Sequence, residues 1–261
     1  MSKEYTSPVL EMQNVEKHFG GVHAIDNFSV KIEHGMIHGL IGPNGAGKTT
    51  IFNNITGIYA PDSGKIIFLG QDITGTSPHR VAQLGIGRTF QNIRLFSNLS
   101  VLENVIIASG MDATYNMPQA LLHTKKYKER EKYLDEKAHR LLDIVGLQDK
   151  AGERANSLPY GHQRKLEIAR AMALEPKLLL LDEPAAGMNA EESIELVNFV
   201  REIRDRFDIT ILMIEHHMDV VTNLCDYCTV LNFGKTIAVG TPAEVKNDPE
   251  VIRAYLGGAD E

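Results

Sequence analysis

Gly42-Pro43-Asn44-Gly45-Ala46-Gly47-Lys48-Thr49 decides how this 261-residue chain is read. The octet fits G-x-x-x-x-G-K-[ST], and its surroundings match what that motif needs. The apolar stretch Met36–Ile41 reads as a strand before it, and Thr50, Ile51, Phe52 and Ile55 read as a helix after it. Glycines let the backbone wrap a triphosphate, while successive N–H groups and a helix N-terminus form an anion nest. Lys48 is placed to reach the β- and γ-phosphates, and the Thr49 hydroxyl to ligate Mg²⁺. Residues 42–50, with Thr50 at the helix start, form the expected nucleotide-binding loop. A chance glycine turn has no reason to carry every fixed position between a strand and a helix.

Such a loop needs a second element to hold the metal and activate water. Leu178-Leu179-Leu180-Leu181-Asp182-Glu183 supplies two carboxylates at the end of an apolar run, whose continuity suits a strand covered on both faces. Asp182 is expected to anchor Mg²⁺ through water. Glu183 is expected to act as general base on the attacking water, a role worth about 10² to 10⁴ in rate. Alone, the run could be a strand leaving the core; beside residues 42–49 the chemical reading is the stronger.

Around these motifs strands and helices alternate, the pattern of an α/β protein with a mostly parallel sheet. Phe28, Val30 and Ile32 alternate with Ser29, Lys31 and Glu33 as a half-buried strand, part of a small antiparallel β region near the N-terminus. Ile66–Leu69, Thr210–Ile214 and Tyr227–Leu231 are further runs of strand length. From Asn92 to Asn156 helical patterns take over, notably Leu134, Ala138, Leu141, Leu142 and Val145, closed by Gly146 at a C′ position. The expected organisation is a P-loop core in residues 1–91 and 157–240, an inserted helical subdomain in 92–156, and a helical tail in 241–261.

Composition narrows what such a core can serve. With 27 Lys+Arg against 34 Asp+Glu the net charge is −7, which leaves no electrostatic footprint for nucleic acid. Lys125–Arg140 carries seven basic and four acidic side chains, but their interleaving reads as a solvated helix face. No apolar run approaches the roughly 20 residues that cross a bilayer, so a membrane role is expected to be peripheral. Met1-Ser2-Lys3-Glu4-Tyr5 lacks the apolar core of a secretory signal. Cys225 and Cys228, the only cysteines, give no disulfide framework and suit a reducing cytosol. They follow the tail of a helical pattern instead of opening one, as a redox pair would, and zinc needs two further ligands. Buried packing is expected for both.

In this order the motifs resemble those of the ATP-binding cassette ATPases, over nearly the whole chain. The resemblance makes Gln91, in Arg88-Thr89-Phe90-Gln91, the Q-loop glutamine. His216, after Thr210–Ile214, becomes the switch histidine. Phe19, in Lys17-His18-Phe19-Gly20, becomes the aromatic that stacks on adenine, with Ala24 counted in the same nucleotide site. Glu183, His216 and Gln91 are then the expected catalytic group, Thr49, Gln91 and Asp182 the metal ligands, and ATP and Mg²⁺ the cofactors. Adjacent His216 and His217 are not expected to share a metal, because neighbours on an extended segment face opposite ways.

The family signature, L-S-G-G-Q ahead of a helix, is altered here to Leu158-Pro159-Tyr160-Gly161-His162-Gln163, followed by Arg164-Lys165-Leu166-Glu167. Pro159 replaces the serine whose hydroxyl touches a γ-phosphate and lacks a backbone N–H. Tyr160 places a ring where glycine lets backbone approach phosphate. His162 replaces the usual glutamine, and only Gly161 survives of the central trio as an expected phosphate contact. Asn189 stands where the family has the aspartate of its D-loop.

The chain looks most like the ATPase subunits of branched-chain amino-acid importers. That likeness rests on Arg88–Asn92 with Arg94-Leu95-Phe96, on Glu183–Asn189, on Ile214-Glu215-His216-His217-Met218, and on the ending Asn247–Gly257. Importers of amides or urea and lipid exporters share parts of these stretches. Soluble cassettes acting on ribosomes or DNA usually carry two cassettes per chain or a long coiled coil, whereas one cassette and no sustained heptads are present here. The resemblance implies two transmembrane permease subunits, a second and different ATPase chain, and indirectly a substrate-binding protein, with no nucleic acid. It implies a place at the cytoplasmic face of the inner membrane. It also implies unequal ATP sites, one built from Lys48, Glu183 and His216, the other closed by Pro159 and Tyr160. Between Gln91 and Glu103, Ile93, Leu95, Phe96 and Leu99 are expected to be exposed, either docking a permease loop or tethering the subdomain.

Overall fold

The computed structural model describes residues 7–110 and 117–256. The Met1–Tyr5 stretch, residues 111–116 of the insert, and the tail from Gly257 onward lie outside the described residues. Packing divides the chain into two units, Met1–Gln91 with Lys177–Glu261, and Asn92–Pro176. The first unit opens with β1 (Leu10–Phe19), β2 (Val22–Ile32), β3 (Ile37–Ile41), α1 (Lys48–Ile55), β4 (Ser63–Phe68), β5 (Gln71–Asp72), α2 (Pro78–Leu84) and β6 (Ile86–Arg88). The second holds α3 (Val101–Ser109), α4 (Met117–Leu121), α5 (Lys125–Ile144) and α6 (Tyr160–Met172). The chain returns to the first for β7 (Leu178–Asp182), α7 (Ala190–Phe207), β8 (Thr210–Ile214) and α8 (Met218–Leu224). It ends there with β9 (Tyr227–Asn232), β10 (Lys235–Gly240), α9 (Pro242–Lys246) and α10 (Pro249–Leu256).

The α/β class expected from the alternation is the one found. An antiparallel sheet runs in the order β2-β1-β4-β5, and a second runs β10-β9-β3-β8-β7-β6, parallel except where β10 pairs with β9. Strands β3, β7 and β8 are buried along their whole length, which is why their sequences are mostly apolar, with only His38, Asp182 and Thr210 polar among them. Leu40, Leu178, Leu180, Leu212 and Ile214 of the parallel sheet share one core with Ile51, Phe52 and Ile55 of α1. Leu10, Met12, Phe28, Ile66 and Phe68 of the antiparallel sheet complete it. Each such side chain fully withdrawn from water contributes about 1.5–3 kcal/mol, so α1 is pinned between the sheets.

Register decides where the functional segments emerge. Leu40 pairs with Ile214, and Ile214 with Asp182. Gly42, Glu183 and His216 therefore leave the parallel sheet at one edge, beyond the carboxyl ends of its strands. Arg88 pairs with Leu180, so Gln91, three residues on, leaves from the same edge. That edge is where parallel sheets carry their ligand sites.

Some elements differ from the sequence reading. The run Ile66–Leu69 stops one residue early, because Leu69 has φ 49 and turns out exposed. Strand β1 was not expected: its register shifts between Met12 and Val15, so the buried positions Leu10, Met12 and Val15 break the alternation a strand would show.

In the second unit, Ser100 and Glu103 form a reciprocal capping box at the head of α3. The stripe Leu134, Ala138, Leu141, Leu142 and Val145 is buried as expected. Gly146, at φ 69, closes α5 with Gly146 N–H donating to Asp143 O (3.1 Å) and Leu147 N–H to Leu142 O (2.8 Å), the two bonds of a Schellman motif. The charged face of α5 carries Lys125–Glu129 and Lys132–Glu136 pairs one turn apart. The sequence reading closes the insert at residue 156, whereas by packing the unit runs on to Pro176, since α6 lies against α3 and α5. Of the four apolar residues expected to be exposed, Phe96 is, beneath the Arg170 guanidinium at 4.9 Å. Ile93, Leu95 and Leu99 are half-buried.

Candidate functional site

The loop between β3 and α1 is shaped by two glycines that nothing larger could replace in place. Gly42 has φ 147, and a β-carbon there would lie 2.1 Å from Leu231 O; Gly47 has φ 103, and a β-carbon there would lie 2.3 Å from Ala24 O. Ala24 of β2 thus backs the loop through its carbonyl. Gly234 ties the same parts together, its N–H donating to Ala46 O (2.9 Å) and its carbonyl accepting from Asp26 N–H (3.0 Å). Gly47 is the N-cap of α1 and offers no side chain, so no side-chain acceptor takes up the first N–H groups of the helix. A phosphate is the natural acceptor at such an end. Pro43, Asn44, Gly45, Thr49 and Thr50 complete the loop and first turn, with Asn44, Gly45 and Thr49 exposed.

Lys48, 5% exposed, donates its ammonium to Gly42 O (2.6 Å) and Pro43 O (2.8 Å). Burial pushes its pKa down to about 8, against the opposing pull of the Glu183 and Asp182 carboxylates. Phe19, at the end of β1, is exposed and meets Tyr59 edge-on at 5.2 Å, with the Lys17 ammonium 5.5 Å from its ring centre.

At the end of β7 the two carboxylates part company. Asp182 Oδ2 accepts from Arg88 Nη2 at 2.9 Å, both side chains nearly buried, and its backbone N–H donates to Thr89 Oγ1 at 3.3 Å. Glu183 adopts φ 47, a left-handed conformation that L-residues hold only where their surroundings enforce it. Its N–H donates to Ile214 O at 2.9 Å. Its Oε1 lies 2.8 Å from His216 Nε2, and its Oε2 accepts from Gln91 Nε2 at 3.0 Å. Glu183, His216 and Gln91 therefore meet, although 33 and 92 residues separate Glu183 from the other two. The rings of His216 and His217 go to different carboxylates, Glu183 and Glu215.

Three residues inside quoted motifs had no role in the sequence reading: Arg88, Thr89 and Glu215. Each has at least one partner distant in sequence, Asp182 for Arg88 and Thr89, and Ala185 for Glu215, which no local spacing announces. Asn189 is the N-cap of α7, its side chain accepting from Glu192 N–H and Glu192 answering in a capping box. Asparagine and aspartate cap helices about equally, so the exchange keeps this function.

Gly161 belongs to the second unit, at the second position of α6, with open space where a β-carbon would go. Pro159 is the N-cap of that helix and accepts no first-turn N–H through its side chain. Tyr160 is 43% exposed, its hydroxyl 3.3 Å from Arg164 Nη2. Arg164 is itself wholly buried on Glu167 at 2.7 Å. Among the described residues no helix is long and apolar enough to cross a membrane.

Comparison with known proteins agrees with this geometry. Residues 25–186 match the family model described as ABC transporter, and residues 235–261 match that described as branched-chain amino acid ATP-binding cassette transporter. The high-affinity branched-chain amino acid transport ATP-binding protein BraF of Pseudomonas aeruginosa is 40% identical over 97% of this chain and 99% of its own. LivG of Escherichia coli, of the same description, is 41% identical over 97% of this chain and all of its own. The crystal structure of MJ1267, an ATP-binding cassette of an ABC transporter in its ADP conformation, superposes with a TM-score of 0.84. It is 33% identical and covers 97% of this chain and 100% of its own.

Proposed function

The chain belongs to the ATP-binding cassette transporter family and hydrolyses ATP in the service of transport, and on that premise we propose that it powers an importer of branched-chain amino acids. The substrate rests on the names of the relatives and on the carboxy-terminal family match. The observation that carries the chemistry is the convergence of His216 and Gln91 on the two oxygens of Glu183, at the sheet edge from which the phosphate loop also emerges. Glu183 takes the proton of the attacking water. His216 holds the base in place, and Gln91 links it to the start of the second unit. Lys48 gives up its bonds to loop carbonyls for the phosphates, Ala24 backs the loop, and Phe19 supplies a ring for adenine.

Mg²⁺ fits the donors present. Thr49 offers a hydroxyl, Asp182 a carboxylate and Gln91 an amide oxygen, the hard ligands this ion takes beside phosphate. When bound, the ion supplies charge to neutralise the β- and γ-phosphates.

The partner ATPase is a different chain. In a homodimer both ATPs would face Pro159 and Tyr160, losing a hydroxyl donor and a close backbone approach at each site. Bonds to charged groups of that kind are worth about 1.5–3 kcal/mol. A partner with an intact signature closes the site built from Lys48, Glu183 and His216, leaving the other site the weaker. Two permeases hold the pair at the cytoplasmic face of the membrane. Purification from membranes through a tag on this chain is the test. Two multispanning proteins and a second ATPase should accompany it; ribosomal proteins or a nuclease subunit would overturn the reading.

A further inference from the structure

Ile214-Glu215-His216-His217-Met218 contains an acid with no part in the site described so far. Glu215 directly follows β8 and is 1% exposed. A carboxylate so withdrawn from water must be met by donors. Four nitrogens from two segments meet it. Its Oε2 accepts from His216 N–H at 2.8 Å and His217 N–H at 3.1 Å, and lies 3.1 Å from His217 Nδ1. Its Oε1 accepts from Ala185 N–H at 3.0 Å, two residues beyond Glu183.

One side chain thus joins the turn that bears Glu183 to the turn that bears His216. Both turns are irregular, the first spanning the gap from Asp182 to Ala190, the second from Ile214 to Met218. We propose that Glu215 is a positioning residue for ATP hydrolysis, its carboxylate setting the distance and orientation between Glu183 and His216. This rests on the reading of Glu183 as base with His216 as its partner. Glutamine in its place keeps the shape but turns an NH₂ group toward N–H donors on one of the two segments. Aspartate keeps the charge but is one methylene too short to span both.

The test compares single-turnover hydrolysis and ATP affinity in the complex purified through this chain. The variants are Glu215→Gln, Glu215→Asp, Glu183→Gln, His216→Ala and the double variant Glu215→Gln/His216→Ala. Glu215→Gln should lower the hydrolysis rate about 10- to 100-fold, the scale of a small misplacement of reacting groups, with ATP affinity within about threefold of the parent. Glu215→Asp should fall between the two. In the His216→Ala background, Glu215→Gln should cost less than about threefold, because no pair remains to be aligned. A merely structural role would weaken ATP binding and act equally in both backgrounds. Parent-like rates in Glu215→Gln, or an undiminished loss in the His216→Ala background, overturn the proposal. Should Glu215→Gln fail to fold, Glu215→Asp carries the same comparison. Retained turnover in Glu183→Gln and His216→Ala would remove the base–histidine reading itself, and the single variants tell that failure from the narrower one.

Discussion

Arg88→Met is expected to destabilise the protein far more than an exposed substitution would. The guanidinium sits at the end of β6 and donates to Asp182 Oδ2 at 2.9 Å, Asn53 Oδ1 at 2.8 Å and Thr56 Oγ1 at 3.2 Å. It also lies 5.4 Å from the Phe52 ring centre and 5.1 Å from that of Phe90. Its side chain is 8% exposed and that of Asp182 5%, so the pair is shielded from solvent and salt. Breaking a buried pair by removing one partner costs about 3–5 kcal/mol. At roughly 2–4 °C per kcal/mol for a chain of this size, the midpoint should fall by about 6–20 °C. In an Asp182→Ala background the same substitution should cost no more than about 1 kcal/mol, because the buried charge it strands is already gone. Thermal unfolding of the parent, both single variants and the double variant, in one buffer, measures this directly. A midpoint within 2 °C of the parent for Arg88→Met, or an equal loss in both backgrounds, would refute the reasoning.

Lys48, with its pKa pushed down to about 8 by burial, should make ATP affinity fall as pH rises through that value, since the neutral amine offers phosphate no charge. Titration calorimetry from pH 7 to 9.5 should show weakening affinity and proton uptake on binding; a flat profile would contradict it. The unfolded chain holds that proton up to about 10.5, so the same group adds stability that is lost as pH falls from 10.5 toward 8. His38, buried beside Thr229 Oγ1 at 2.9 Å, is pushed down to about 4 by desolvation. The unfolded chain protonates first, so stability should be lost as pH falls from 6.5 toward 4, by about 1.4 kcal/mol per unit, in denaturant titrations, and His38→Gln should flatten that slope. Gly47→Ala puts a β-carbon 2.3 Å from Ala24 O at φ 103, so equilibrium binding should show ATP affinity lost, whereas Gly21→Ala, in open space, should leave it intact.

The buried strands were the most legible part of the fold. Thr210–Ile214 is a strand with the bounds its run suggests, because a strand covered on both faces is buried at every position, Thr210 included, and shows little polar alternation. Strand β6, three residues long, is too short to leave a periodic trace. The bulged β1 hides its pattern in a shifted register. For the site, the residue types and their order could be read, but the pairing Arg88↔Leu180 could not, so neither could the bond from Arg88 to Asp182. Glu215 stood in plain view beside His216 and His217, whose N–H groups it accepts from, but its bond to Ala185, 30 residues away, could not be read from the sequence.

The most direct measurement is ATP turnover of Glu183→Gln, set beside its affinity for ATP, in the complex purified through this chain. Glutamine keeps the side chain's shape and removes the proton acceptor that His216 and Gln91 hold at 2.8 and 3.0 Å. Turnover at least about 100-fold below the parent, with affinity within about threefold, is the expected result. Turnover close to that of the parent would contradict a general base at Glu183.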